Sequence, residues 1–229
     1  MRSIRTQIAN GILAFALVVA ACGASADDTR ASHTREPADQ PATAQAALER
    51  LVEGNQRFAS RTPAIALTAK LDEMFARNEA GQAPYATILT CADSRLSPVM
   101  LFDELLGDLF VVREAGNIAV SPTSLGSLEF AHVVLNTRLL VVMGHQGCGA
   151  VDAAFKNSDV PGNIQSFVDV IKPGIAGASD LDEAVVKNVI AVIASIRANS
   201  PALSNTEIIG AVYHLGTGKV QFLDEPGGG

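Results

Sequence analysis

Apolar runs alternate with amphipathic segments along most of this 229-residue chain. Short, nearly continuous apolar runs are typical of strands buried on both faces of a parallel sheet. These runs occupy residues 85–90, 109–113, 139–143 and 207–214. A last segment, 219–223, follows the glycine-rich turn at 216–218 and is expected to return as an antiparallel hairpin. The pattern predicts an α/β fold with a mostly parallel sheet of four to five strands, an antiparallel edge and flanking helices.

Helical spacing of apolar residues predicts the remaining elements. Two helices precede the first strand, at 43–59 and 68–78, and would form an N-terminal helical arm. Gly54-Asn55 marks a weak point in the first of them, because glycine disfavours a helix interior. Further helices are predicted at 98–105, 122–135, 150–156, 160–171 and 181–198, with Ser121 capping the second of these ahead of Pro122.

The first 21 residues have the pattern of a secretory signal: a basic start and then a short apolar stretch that is too short for a membrane anchor. Residues 19–22, Val-Ala-Ala-Cys, resemble a bacterial lipobox, in which Cys22 is lipidated and becomes the first residue. Ala24-Ser25-Ala26 fits an alternative cleavage site that would release a soluble protein. Both interpretations predict export, and the lipobox predicts a periplasmic protein anchored to a membrane by lipid.

Residues 22–42 are rich in Ala, Asp, Thr, Ser and Pro without periodicity, which predicts a flexible tether before one domain at 43–229. The domain is long enough to bury a core, and the 48% hydrophobic content is that of a globular protein. The net charge of −7 and the lack of a basic stripe argue against nucleic acid as a partner.

Residues able to bind a metal follow two of the predicted strands. Cys91 comes directly after the first strand, and His145 and Cys148 come shortly after the third. In open α/β sheets, ligands bind at the carboxyl ends of the strands. Two thiolates and an imidazole suit tetrahedral Zn²⁺, and three protein ligands leave a fourth position open, as in catalytic zinc sites. Spacing alone also allows two buried structural cysteines and an ordinary loop histidine.

Asp93 and Arg95 lie beside the proposed metal ligands. A bidentate pair between them would keep the carboxylate ionised. An ionised carboxylate near zinc can accept the hydrogen bond of a zinc-bound hydroxide and orient it, or can bind the metal as a fourth ligand and close the site. Without a metal, the pair would be an ordinary salt bridge in a turn.

Three motifs in this order give the chain a resemblance to β-class carbonic anhydrases. They are Cys-Ala-Asp-Ser-Arg at 91–95, Phe-Val-Val-Arg-Glu-Ala-Gly-Asn at 110–117 and Gly-His-Gln-Gly-Cys-Gly-Ala-Val at 144–151. The resemblance implies reversible hydration of carbon dioxide to bicarbonate and a proton, with zinc held by Cys91, His145 and Cys148. It further implies that Asp93 orients the zinc-bound hydroxide, or becomes a pH-dependent fourth ligand, and that Arg95 restrains it.

The same resemblance implies a homodimer, sometimes doubled to a homotetramer, in which the N-terminal helices embrace the partner subunit. It places Gln82 and Phe110 in the substrate pocket, with Phe130 where the family has a tyrosine. His214, which stands where an aspartate is common, is a candidate proton shuttle or an exposed strand-end residue. His132 is expected in the core or an interface.

Two other functions compete with carbon dioxide hydration. The same site could hydrolyse carbon disulfide or carbonyl sulfide, if loops narrowed its entrance. A tethered bicarbonate or pH sensor without catalysis is a third possibility, which the intact set of five site residues disfavours.

Overall fold

The computed structural model describes residues 40–64 and 71–223. The predicted signal segment at 1–21, the lipidation site Cys22 and nearly all of the predicted tether lie outside these residues. Within the described part, no helix combines the length and apolar character needed to cross a membrane.

The described residues form seven α-helices and five strands. The helices are α1 (Ala44–Ala59), α2 (Leu71–Glu79), α3 (Pro98–Leu101), α4 (Pro122–Val133), α5 (Gly149–Phe155), α6 (Ile164–Gly174) and α7 (Leu181–Asn199). The strands are β1 (Ala86–Thr90), β2 (Leu109–Arg113), β3 (Leu139–His145), β4 (Glu207–His214) and β5 (Lys219–Phe222). Short 3-10 turns lie at Ala115–Asn117 and Pro201–Leu203.

The strands form one sheet in the order β2-β1-β3-β4-β5. The first four are parallel, and β5 pairs antiparallel with β4 at one edge. Every residue of β1 and β3 is buried, as expected for central strands. The predicted α/β fold, with its antiparallel edge and flanking helices, is therefore confirmed.

Some boundaries differ from the sequence prediction for local reasons. Strand β3 continues to His145 because its pairing with β4 extends two residues beyond Met143. Helix α3 ends at Leu101 instead of 105, since Asp103 adopts a left-handed backbone conformation that interrupts a helix. Helix α6 begins at Ile164 instead of 160, after Pro161 and the left-handed Gly162.

The N-terminal arm of the single chain packs on its own body, with α1 contacting β5 and α3. Asn55 is buried within α1. Its Nδ2 donates to the carbonyl oxygens of Leu101 at 3.0 Å and Gly218 at 2.9 Å, and its Oδ1 accepts from the Val220 N–H at 2.7 Å. The predicted weak point at Gly54-Asn55 is thus the place where α1 is bonded to the rest of the domain.

A charged cluster fastens the arm a second time. Arg50 on α1 donates through Nε to Glu104 at 2.8 Å, and its guanidinium lies 4.5 Å above the Tyr85 ring. The Tyr85 hydroxyl donates to the same carboxylate at 2.8 Å. On α2, Arg77 pairs with Asp108 at 2.9 Å. Because Glu104 and Asp108 are almost fully buried, their cationic partners are needed to hold their charge.

Candidate metal centre

The order of the strands brings the predicted metal ligands together. Because β1 and β3 are parallel neighbours with Thr90 opposite Met143, the residues that follow them emerge at the same edge of the sheet. Cys91 follows β1 directly, and His145 is the last residue of β3. Gly147 has φ 63°, a conformation that glycine adopts without strain, and this turn places Cys148 at the start of α5.

The ligand atoms of Cys91, His145 and Cys148 lie within 4.8 Å of one another, and all three residues are buried. The two Sγ atoms are 3.9 Å apart. Two thiolates on a tetrahedral zinc, with Zn–S bonds of about 2.3 Å, would be about 3.8 Å apart. The spacing of the sulfurs therefore fits a zinc ion.

His145 has the tautomer that metal binding requires. Its Nδ1 donates to the Gln146 carbonyl oxygen at 3.0 Å, so Nε2 carries the lone pair. Nε2 is buried and has no hydrogen-bond partner. A buried polar atom without a partner is unfavourable in a folded protein, and a metal ion at this position would satisfy it.

The two thiols are joined by an S–H···S hydrogen bond. A hydrogen bond from the Cys148 thiol lowers the pKa of Cys91 against the opposing effect of burial, and a further one from the Gly116 N–H acts in the same direction. Cys148 donates the S–H···S hydrogen bond and is buried, and both effects raise the pKa of its thiol. A divalent cation would compensate the charge of two thiolates and release the Cys148 proton.

Asp93 and Arg95 form the predicted pair at the mouth of this cluster. Arg95 donates through its backbone N–H and Nε to Asp93 Oδ1, at 2.9 and 2.8 Å, and through Nη2 to Oδ2 at 2.6 Å. The Arg95 guanidinium therefore holds the pKa of Asp93 well below its usual range. Asp93 Oδ2 lies 3.8 Å from His145 Nε2, so the carboxylate faces the cluster.

Arg113 holds the loop that carries these residues. It stands opposite Thr90 in the sheet and donates through Nη2 to the Asp93 carbonyl oxygen at 2.7 Å and through Nε to that of Cys91 at 3.3 Å. The motif Phe-Val-Val-Arg at 110–113 signals an arginine at the end of β2. Its role as a clamp on the neighbouring loop becomes visible only when the two strands are paired.

A family model described as carbonic anhydrase matches residues 86–220, which contain the entire cluster. The chain belongs to the carbonic anhydrase family, in its β class. Carbonic anhydrase 2 of Mycobacterium tuberculosis is 37% identical over 80% of this chain and 94% of its own length. The carbonic anhydrase of Pseudomonas aeruginosa is 32% identical over 62% of this chain and 74% of its own.

Solved structures share the fold of this carbonic anhydrase. The β-carbonic anhydrase of Coccomyxa in complex with acetazolamide has a TM-score of 0.61 and 27% identity, over 78% of this chain and 86% of its own. CafA of Aspergillus fumigatus has a TM-score of 0.62 and 25% identity, over 80% of this chain and 92% of its own. One of two tetrameric β-carbonic anhydrases of Sordaria macrospora, 21% identical, has the same fold, with a TM-score of 0.63 over 78% of this chain and 98% of its own.

The predicted pocket residues lie elsewhere in the single subunit of this carbonic anhydrase. The rings of Phe110 and Phe130 are in contact, with centroids 6.2 Å apart, and Gln82 is half-buried before β1. Phe110 pairs with Thr87, three positions before Thr90. At about 3.3 Å per residue, this is roughly 10 Å along the strand from the end where the cluster lies.

The other two candidate histidines have local partners. His132 donates from Nδ1 to the Thr137 carbonyl oxygen, 2.9 Å away, near the end of α4. His214 ends β4 opposite Lys219, and its Nε2 lies 3.2 Å from Gln221 Oε1 on β5. These contacts give each histidine a structural role in the carbonic anhydrase fold, and a proton shuttle at His214 stays a prediction.

Proposed function

We propose that this protein catalyses the zinc-dependent, reversible hydration of carbon dioxide to bicarbonate and a proton. The observation that carries the proposal is the buried cluster of two sulfurs and an unpartnered His145 Nε2, with the ionised Asp93 facing it. The membership of the chain in the carbonic anhydrase family supports this reaction over the hydrolysis of carbon disulfide and over a sensor without catalysis.

Cys91, His145 and Cys148 would hold the zinc, leaving one position open towards Asp93. Bound there, zinc would lower the pKa of water to near neutrality and supply a nucleophile for carbon dioxide. The protein contributes three buried side chains as ligands. Arg113 and the Gly147 turn fix the two loops that carry the ligands.

Asp93 would act as an oriented hydrogen-bond acceptor. With its pKa held so low by Arg95, the carboxylate keeps no proton at neutral pH, so it can accept a hydrogen bond and fix the direction of the nucleophile. To become the fourth zinc ligand, Asp93 would have to turn away from the Arg95 side chain, which now occupies both of its oxygens. We therefore propose the open arrangement for the site at neutral pH.

We propose a homodimer as the functional unit. Phe110 lies about 10 Å from the cluster along the strand. We therefore propose that Phe110, Phe130 and Gln82 line the substrate pocket of a neighbouring subunit. The tetrameric β-carbonic anhydrases of Sordaria macrospora, which share the fold, are consistent with such assembly. Sedimentation of the purified protein would test this, and a monomer with full activity would contradict it.

The test of function compares three variants by stopped-flow hydration of carbon dioxide and by zinc content. Cys148→Ser should lose zinc and activity together, because it removes a ligand. Asp93→Asn should keep zinc but lose roughly 10- to 100-fold in kcat/KM, since the amide cannot replace the ionised acceptor. Asp152→Asn is the matched control, because this carboxylate lies on α5 and pairs only with Lys156 among the described contacts.

Zinc-loaded wild-type protein that hydrates no carbon dioxide between pH 6 and 9 would overturn the proposed function. Normal activity of Asp93→Asn would remove Asp93 from the mechanism. Turnover of carbon disulfide, measured beside that of carbon dioxide on the same preparation, shows which substrate the site prefers.

We also propose that the protein is exported and anchored through a lipid on Cys22, on the strength of the Val-Ala-Ala-Cys sequence at 19–22. Labelling of expressing cells with a fatty-acid probe should mark the wild type and not Cys22→Ala. An unlabelled wild type that is nevertheless secreted would favour cleavage after Ala26 instead.

A further inference from the structure

A buried asparagine on α7 contacts the backbone beside the metal centre. Asn188 is 2% exposed, and its Nδ2 donates to the carbonyl oxygen of Gly116 at 2.8 Å. The N–H of the same glycine points the other way and donates to Cys91 Sγ at 3.3 Å. Gly116 thus links an amide 72 positions away in the sequence to a sulfur of the proposed metal centre.

The backbone of Gly116 does not favour its observed conformation over others. It lies at φ 68° and ψ 21°, in the left-handed region, and glycine moves between this and other backbone conformations at little cost. A side chain cannot fix it, because a Cβ at this position would lie 2.5 Å from Ile171 Cδ1. The conformation must therefore be imposed by neighbours, and Asn188 holds the carbonyl through its amide.

We propose that Asn188 is a positioning residue of the metal centre, which fixes Gly116 so that its N–H donates to the Cys91 sulfur. This inference rests on the proposed metal centre at Cys91, His145 and Cys148. A hydrogen bond to a coordinating thiolate withdraws negative charge from the sulfur and fixes its direction. Groups that orient a ligand in this way influence the affinity for the metal about 10- to 100-fold.

The surroundings of Asn188 determine which substitution tests this role. The side chain borders a small, mostly apolar cavity of about 170 Å³ between α6 and α7, which Val192 also lines. In Asn188→Ala, a water molecule in the enlarged cavity could replace the lost donor. Asn188→Leu keeps the branched shape and the number of side-chain heavy atoms and offers no donor, so it is the sharper variant.

A matched control is available one turn further along α7. Val192 is 5% exposed and lines the same cavity, but it has no polar group that could reach Gly116. Val192→Ala loses packing in the same place and keeps the Asn188 amide. A purely structural role of Asn188 would lower stability in both variants and leave the metal centre unchanged in both.

The experiment loads full-length protein with Co²⁺ and records the sulfur-to-cobalt charge-transfer band, with zinc affinity measured by chelator competition. Loss of the N–H donor raises the energy of the sulfur lone pairs, so Asn188→Leu should shift the band to longer wavelength and weaken zinc binding about tenfold or more. Val192→Ala should leave both unchanged. If Asn188→Leu does not fold, Asn188→Val carries the test, because it offers no donor and leaves less room for water than alanine, and the shift is expected in the same direction.

An unshifted band together with wild-type zinc affinity in the folded asparagine variant would overturn the inference and leave the proposed function intact. A shift of the same size in Val192→Ala would also overturn it, because packing alone would then explain the change. A wild type that binds neither cobalt nor zinc would overturn the proposed metal centre, and the inference with it.

Discussion

Substitution of two helical glycines by alanine should have opposite effects on stability. Gly54 lies in α1, where a Cβ would come within 1.9 Å of the Phe102 carbonyl oxygen. Gly126 lies in α4, where a Cβ would meet nothing within 4 Å among the described residues. Both changes improve the intrinsic helix propensity by about 1 kcal/mol, so their difference isolates the close approach of α1.

The magnitude at Gly54 follows from the contacts that α1 must give up. A carbonyl oxygen belongs to the backbone and cannot rotate away, so α1 has to retreat by about 1.1 Å to restore a 3.0 Å contact. That movement loosens the three hydrogen bonds of the buried Asn55, each worth about 1 kcal/mol. Overpacking adds about 1–3 kcal/mol. After the gain in propensity of about 1 kcal/mol, we expect Gly54→Ala to lose about 3–5 kcal/mol.

The assay is urea unfolding at one fixed protein concentration, since association contributes to the apparent stability of an oligomer. Gly126→Ala should gain up to about 1 kcal/mol in the free energy of unfolding. A Gly54→Ala protein as stable as the wild type would refute the docking of α1 on α3. A loss of several kcal/mol in Gly126→Ala would show that α4 is covered by something outside the single chain.

Two further predictions concern buried and exposed carboxylates. Burial raises the pKa of Glu104 against the opposing effect of Arg50, and the hydrogen bond from the Tyr85 hydroxyl favours the ionised carboxylate. Tyr85→Phe should therefore lower the free energy of unfolding by about 1.5–3 kcal/mol at pH 8, and by less as the pH is lowered towards the pKa of Glu104. A loss that does not change with pH would contradict this. Hydrogen bonds from Ser179 lower the pKa of Glu183 to about 2, so the stability that Glu183 contributes is present above about pH 4.5 and is lost as the pH falls to 2. The thermal midpoint of Glu183→Gln should therefore lie below that of the wild type at pH 7 and converge with it in acid. A difference between the two midpoints that stays constant from pH 7 to pH 2 would contradict this.

Local sequence was sufficient to predict the elements and the three side chains that the structure brings together in the proposed metal centre. Strand β2 at 109–113 and strand β4 at 207–214 were predicted to the residue from their apolar runs, although β2 lies at an edge of the sheet and is only partly buried. Cys91, His145 and Cys148 could be identified because the carboxyl ends of parallel strands meet at one edge of the sheet. Asp93 and Arg95 are two positions apart, so their pairing is a local property as well.

Gly54-Asn55 shows where local reasoning fails. In sequence, glycine next to asparagine indicates a weak point in a helix, because both residues have poor helix propensity. In the structure, the absence of a Cβ lets α1 approach Phe102, and the amide of Asn55 bonds with the segments around Leu101 and Val220. Phe102, against which α1 packs, is distant in sequence, so no local sequence pattern indicates the contact.

The sequence by itself determined which side chains can bind the metal and which end of the sheet they occupy, since both depend on strand periodicity and order along the chain. Only the tertiary structure decided how those side chains are held. Arg113 clamps the Cys91 loop from the neighbouring strand, and Asn188 reaches Gly116 from a helix 72 positions away. Such contacts depend on which elements are neighbours in space, and the strand order β2-β1-β3 that makes them neighbours is a property of the whole fold.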